Sequence, residues 1–286
     1  MSNKVAIVTD STAYIPEEFL KQYNINVVPL TVIWGDEILN DGVDIQPHQF
    51  YEHLPKATVM PTTSQATPAT MHEAFKGLID QGYDVLGVFI SSKISGTIAS
   101  AQQAVDMLEN GKDKVAIVDS LLTSMGLGWP VITTARAAQK GESLTDCEKL
   151  AQEACENSGI LFVVDTLEFL RRGGRIGGAQ ALLGNVLNIK PILELEEGVI
   201  EPAGKVRTKK KALQHMIELA AERIDGRTPL RVAVTHANVQ SEAEALLEAV
   251  KEHFNPVETI ISPLSPVIGT HVGPGALALT FMHSIA

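Results

Sequence analysis

Short, uninterrupted apolar runs, each followed by a longer amphipathic stretch, recur through the first half of this 286-residue chain and restrict the folds open to it. Residues 4 to 9 (KVAIVT), 26 to 34, 84 to 90 and 115 to 118 (VAIV) have the length and apolar continuity of buried strands. Residues 16 to 23, 68 to 80, 96 to 109, 121 to 140 and 143 to 158 carry helical periodicity. Such alternation builds a parallel sheet covered by helices. After Gly159 the texture changes. ILFVVD (160 to 165), IKPILEL (189 to 195), GVIEPA (198 to 203), RVAVTH (231 to 236) and VETIIS (257 to 262) surround helices at 207 to 224 and 240 to 254. The runs at 189 to 195 and 198 to 203 meet at Glu196 and Glu197 with Gly198 following, a hairpin signal that makes the second sheet mixed. The chain exceeds the size at which one core usually stops growing. The expected class is α/β, with two three-layer α/β/α domains: a parallel one over 1 to 159 and a mixed-sheet one over 160 to 286.

Charge and composition narrow the function. A formal charge of −11, from 34 acidic and 23 basic residues, repels nucleic acid and acidic membrane surfaces taken as a whole, so no nucleic-acid partner is expected. Cys147 and Cys155 lie eight apart, with neither a Cys-x-x-Cys pattern nor metal-ligand spacing, and read as reduced structural thiols. The eight histidines are scattered, and Asp10, Asp41, Asp44 and Asp119 form no recognised ligand spacing, so no metal is expected. MSNKVAIVTD runs straight into a strand without a signal-peptide pattern, and no window approaches the ~18 apolar residues of a membrane span. The expectation is a soluble, cytoplasmic protein.

Three hydroxyl-rich blocks stand out. SSKISGT (91 to 97) follows the run at 84 to 90, at the carboxyl end of a parallel strand where ligands gather. A helix starting near Ser95 or Gly96 would aim its unpaired N–H groups at an anion, with the glycine allowing close approach; alternatively Ser95 only caps its own helix. In MPTTSQATPAT (60 to 70), Thr67 and Pro68 suit a helix start, leaving Thr62, Thr63 and Ser64 as more hydroxyls than a cap needs. In SPLSPVIGTHVGPGALAL (262 to 279), Ser265 and Pro266 look like the start of a short helix, and His271 falls among glycines, where it is either structural or a ligand neighbour. Sharper catalytic motifs fail. There is no G-x-x-x-x-G-K-[ST] loop, and GPGALA (273 to 278) leaves too few residues for a dinucleotide-binding unit. The order Ser95, Asp119, His271 matches an α/β hydrolase, although Lys93 stands where the nucleophile elbow needs glycine. In LRRGGRIGG (170 to 178), the arginines could bind phosphate through forked contacts, dock an acidic partner, or pair with Glu168.

Six ordered blocks, VTDSTAYIP (8 to 16), TSQATP (63 to 68), SSKISGT (91 to 97), VDSLLTSMGLG (118 to 128), LRRGGRI (170 to 176) and IGTHVGPGA (268 to 276), resemble the signature blocks of the DegV family. The resemblance covers nearly the whole chain, and it is to the fatty-acid-binding subunits, of FakB type, of bacterial fatty acid kinase. It implies a DegV-like two-domain fold that is not itself an enzyme and needs no cofactor. One long-chain fatty acid lies between the domains, and its carboxylate is presented to a separate ATP-binding kinase subunit that makes the acyl phosphate, feeding exogenous fatty acid into phospholipid synthesis. Transferred block by block, Thr63, Ser95, Gly96 and His271 would bind the carboxylate, with Thr62 and Ser120 behind them. Arg172 and Arg175 would face the kinase, and KVRTKKK (205 to 211) adds to that basic face. Membrane contact would be transient. Ala66 and Ile94 depart from the proline and leucine common in the family, which bears on chain-length preference.

The residues support the same picture by themselves. A buried carboxylate must be hydrogen-bonded, and Ser, Thr, backbone N–H and His supply neutral donors. Lys93 is the only Lys or Arg inside the three hydroxyl blocks, which leaves a carboxylate free of a strong ion pair. VFI (88 to 90) and ALLGNVLNI (181 to 189) are expected as tunnel walls. The competing readings are a serine hydrolase acting on acyl esters with Ser95 as nucleophile, and a phosphosugar- or dihydroxyacetone-type kinase partner that holds no lipid.

Overall fold

The computed structural model describes residues 4–183 and 189–283. Among them, the strands before residue 120 are β1 (Val5–Asp10), β2 (Asn26–Val28), β3 (Thr31–Trp34), β4 (Glu37–Asn40), β5 (Thr62–Ser64), β6 (Asp84–Phe89) and β7 (Val115–Asp119). They alternate with α1 (Glu17–Tyr23), α2 (Pro47–His53), α3 (Pro68–Asp80) and α4 (Thr97–Met107), and α5 (Ser124–Gln139) and α6 (Leu144–Glu156) follow. The second half contains β8 (Ser158–Val163), α7 (Glu168–Arg172), β9 (Lys190–Glu196), β10 (Val199–Val206), α8 (Lys209–Ile224), β11 (Leu230–His236), α9 (Gln240–Phe254), β12 (Glu258–Pro263), α10 (Pro266–Val272) and β13 (Leu277–His283).

Strands β2, β1, β6 and β7 form a parallel sheet in that order. All six residues of β1 are buried, as expected of a strand covered on both faces. Helices α3 and α4 close one face through Met71, Phe75, Ile98 and Ala101, packed on Val8, Val85 and Phe89. The second sheet runs β10-β9-β8-β13-β11-β12 and is mixed, with only β11 and β12 parallel. Its hairpin turns at Glu197 and Gly198, whose φ values of 48° and 84° suit a two-residue turn. Helices α8 and α9 cover its outer face through Met216, Ala220, Leu246 and Val250.

Between the sheets lies α5. It packs on β1 of one sheet and on β8, β11 and β13 of the other. Its residues from Ser124 to Ile132 are all buried, and Met125, Leu127, Trp129, Val131 and Ile132 are completely so. A helix apolar on every side belongs inside, and here it gives both sheets one continuous core.

Three departures from the sequence-based expectation shape the sheets. The strand expected over 26 to 34 is broken at Pro29 and Leu30 into β2 and β3, since proline cannot donate to a sheet ladder. β3 leaves the parallel sheet and pairs antiparallel with β4 and β5, forming a third, small sheet in the order β4-β3-β5. Finally, no strand was expected after residue 262, yet β13 sits in the middle of the mixed sheet, antiparallel to β8 and β11. All seven of its residues are buried, so it shows no alternation.

Candidate ligand-binding cavity

A cavity opens between the parallel and mixed sheets. Most of its wall is apolar. Ile90 and Ile94 come from the end of β6 and the loop after it, Ile160 and Phe162 from β8, and Leu195 and Ile200 from the β9–β10 hairpin. Leu264, Val267, Ile268 and Val272 close it from the segment around α10.

Polar groups enter the wall from three distant parts of the chain. The register of β5 on β3 sets Thr63 opposite Val32, which is fully buried, and so turns it inward, while the neighbouring Thr62 is exposed. Helix α10 starts at the expected Ser265, whose Oγ accepts from Ile268 N at 3.1 Å, and this turn carries His271 into the wall. Thr63 Oγ1 and His271 Nε2 meet at 2.8 Å. Ser95 also lines the cavity. Its Oγ lies 2.9 Å from Thr97 Oγ1 and accepts from Thr97 N at 3.3 Å, so it both supports the start of α4 and faces the cavity. The preceding loop is held by the fully buried Asp10, which accepts from Ile90 N at 2.8 Å and from Thr12 N at 3.0 Å. The VTDSTA block therefore acts as scaffold. Burial pushes the Asp10 pKa up, against the pull of these donors.

The His271 ring is pushed down to about 4, by burial first and then by the Arg175 charge, and is neutral near pH 7. Its Nδ1 is buried without a hydrogen-bond partner among the described residues. Gly173 explains how the ring fits: a Cβ at that position would lie 2.1 Å from Nδ1, so only glycine lets the end of α7 pass so close.

The remaining sequence candidates are placed as follows. Gly96 is half-buried and caps α4 beside the Gln65 side chain, outside the residues that line the cavity. Ser120 is buried and tied to its own turn, accepting from Leu122 N at 3.1 Å. Arg172 is exposed, and its Nε donates to Glu168 Oε1 at 2.6 Å. Arg171 shares that carboxylate, and the two arginines hold Glu168 at about 2. Arg175 is half-buried on the cavity wall, donating from Nε to the Ile94 carbonyl at 3.1 Å and from Nη1 to the Gly173 carbonyl at 2.6 Å. The sequence-based expectation set Arg175 on the kinase-facing surface; the fold places it on the cavity wall beside His271. Of VFI, only Ile90 reaches the cavity, Val88 and Phe89 being core. In the other expected wall segment, 181 to 189, residues 184 to 188 lie outside the described residues.

The hydrolase arrangement is not assembled. Asp119 accepts from Ser92 N and Leu121 N, each at 3.1 Å, and His271 bonds Thr63 rather than Ser95. Behind the polar end, Thr63, Arg175 and His271 also form the wall of a second, outer pocket bounded by Thr62, Phe169 and Arg172. These three side chains therefore partition the inner cavity from an outer one.

Fold and site define an α/β protein with a mostly apolar small-molecule cavity between two sheets, its wall carrying hydroxyls, a neutral imidazole and one arginine. The chain belongs to the DegV family, whose model, described as "Uncharacterised protein, DegV family", matches residues 4–284. A DegV domain-containing protein of Clostridium acetobutylicum is 39% identical over 279 residues, covering 97% of each chain. A solved structure described as "Fatty Acid Binding of a DegV family Protein from Thermus thermophilus" superposes with a TM-score of 0.92 at 32% identity, over 98% of this chain and 100% of that one. "DegV, a fatty acid binding protein from Bacillus subtilis" gives 0.89 at 36% identity, over 99% and 100%. Among the described residues no helix is long and apolar enough to cross a membrane.

Proposed function

We propose that this protein holds one long-chain fatty acid in the cavity, with its carboxylate at Thr63, Ser95 and His271, and presents it to a separate ATP-binding kinase subunit of the FakB-partner type. The observation that carries this reading is the meeting of Thr63 and His271 on the wall of an otherwise apolar cavity. The fatty-acid binding stated for the Thermus thermophilus and Bacillus subtilis structures supports it.

The chemistry follows from the donors. With a neutral His271 donating from Nε2 to Thr63 Oγ1, the Thr63 hydroxyl proton is free to bond a carboxylate oxygen, and Ser95 supplies a second hydroxyl. Hydroxyl donors offset the desolvation of the head group. Arg175 spends two of its five N–H groups on backbone carbonyls, which fix it on the wall, and its charge favours the anion. A carboxylate held this way keeps a lone pair available. One of its oxygens attacks the γ-phosphorus of ATP bound by the kinase subunit, the bond to the β-phosphate oxygen breaks, and ADP leaves. The outer pocket beside Thr63 and His271 is the approach for that donor, and the exposed Arg172 lies on the docking face. For the tail, at ~0.8 kcal/mol per buried methylene, a chain of about 16 carbons gains on the order of 12 kcal/mol before binding costs.

Native mass spectrometry of the purified protein tests the reading. A stoichiometric adduct that denaturation releases as a fatty acid is the expected result. A protein that carries none, and takes up none from oleate or stearate, overturns it.

A further inference from the structure

Among the described residues that line the cavity, Gln65 alone is exposed; the others are buried or half-buried. It follows β5, two positions past Thr63, which keeps the two Cα atoms within about 7 Å of each other. Its backbone carbonyl accepts from Ser64 Oγ at 3.3 Å, but its carboxamide has no hydrogen-bond partner among the described residues.

Shape holds that carboxamide in place. A Cβ built at Gly96 would lie 2.8 Å from Gln65 Nε2, 3.0 Å from its Cδ and 3.3 Å from its Oε1, so the amide rests on the bare Cα of the glycine. The backbone there, with φ −84° and ψ 7°, is one that side-chain-bearing residues also adopt, so contact rather than conformation calls for glycine. The glycine expected to admit an anion to the backbone is instead covered by Gln65. Ser95, which lines the cavity, is one peptide away, about 3.8 Å between Cα atoms. Thr63, Gln65 and Ser95 therefore share one patch on the open side of the cavity.

A carboxylate only accepts hydrogen bonds and has about four lone-pair sites, more than one threonine and one serine hydroxyl can fill. A carboxamide brings two further N–H donors. In Gln65 they are unpartnered, and a side chain already seated gives up little freedom when it binds. We infer that Gln65 is a further head-group residue, its carboxamide donating to the ligand's carboxylate, and that Gly96 acts on the ligand only through it, as the seat that positions the side chain. This rests on the fatty-acid reading of the cavity. Bonds to an ionised acceptor are roughly twice as strong as bonds to a neutral one, so Gln65 favours an acid over an alcohol of the same chain length.

The test measures Kd for palmitate and for hexadecanol by competition with a fluorescent fatty acid, whose own Kd is determined for each protein. The proteins are the wild type, Gln65→Ala, Gln65→Glu, Gly96→Ala and the double variant Gln65→Ala/Gly96→Ala. Gln65→Ala should weaken palmitate about three- to tenfold, the size of one net hydrogen bond, and change hexadecanol by less than about twofold. Gly96→Ala should do the same, because its methyl displaces the free end of the Gln65 side chain. The double variant should bind palmitate no more weakly than Gln65→Ala alone. Gln65→Glu, which sets a negative charge where the donors were, should weaken palmitate further. An unchanged palmitate Kd in Gln65→Ala, equal weakening of acid and alcohol, or an added loss in the double variant overturns the inference and leaves the fatty-acid reading intact. A wild type that binds neither palmitate nor the fluorescent acid overturns both.

Discussion

The hydroxyl of Thr63 and the imidazole of His271 meet at 2.8 Å across 208 positions of sequence, one on a three-residue strand of the small sheet and the other on the last turns of α10. Neither element is stable by itself, so the pair exists only where the two halves of the chain pack together. Its geometry is thus a property of the whole fold, and substitutions around it separate anchoring from scaffold.

Ser95→Ala removes a hydroxyl that faces the cavity. If that group pairs a buried carboxylate, fatty-acid affinity should fall by roughly 1 to 3 kcal/mol, read as a Kd ratio, with turnover by the kinase subunit falling alongside. The fold should survive, because Thr97 N loses only a long 3.3 Å bond. Equal affinities for variant and wild type would remove Ser95 from the anchor.

His271 gives a pH signature. Its folded pKa of about 4 lies below the ordinary 6.5, so between these values the unfolded chain binds more protons than the native one. Stability contributed by the neutral ring is complete above pH 6.5 and is lost as the pH falls toward 4, on the order of 3 kcal/mol in all. Urea midpoints of wild type and His271→Gln should therefore run parallel above pH 6.5 and converge or cross below it. Parallel curves down to pH 4 would show that the ring is not buried neutral.

Gly173→Ala places a methyl 2.1 Å from His271 Nδ1. Either the ring or the end of α7 must move, at about 1 to 3 kcal/mol for an overpacked contact. Chemical denaturation should show that loss, and retained lipid should drop with it, since the displaced ring no longer supports Thr63. Normal stability with normal lipid content would mean that the loop yields freely.

Arg172→Ala should leave fatty-acid content and thermal stability unchanged, because the side chain is exposed and Arg171 still holds Glu168. Turnover with the kinase subunit should drop roughly tenfold or more, as for an arginine anchor at an interface. Loss of the lipid instead would assign Arg172 to the cavity, where the structure places Arg175.

Much of this arrangement is legible in the sequence because the relevant signals are local. Thr67 before Pro68 marks the start of α3, Ser265 before Pro266 that of α10, and Glu197–Gly198 the turn of the hairpin. Thr63, Ser95 and His271 each sit in a block too rich in hydroxyls or glycine for its neighbours to explain. What escaped depends on distant packing. β13 has no alternation because both its faces are buried, and β5 is three polar residues whose strand character comes from pairing with β3. Arg175 reaches the cavity only because the segment after α7 returns to it.

The central position of α5 has a consequence for how a guest is exchanged. Swinging the sheets apart like a clamshell would bring Leu127, Trp129 and Ile132 into water, all of them completely buried against one sheet or the other. At about 1.5 to 3 kcal/mol for each large apolar side chain, that motion is strongly disfavoured. The molecule opens, if at all, by local give at the rim, and loading and unloading depend on the looseness of the margin rather than on a hinge.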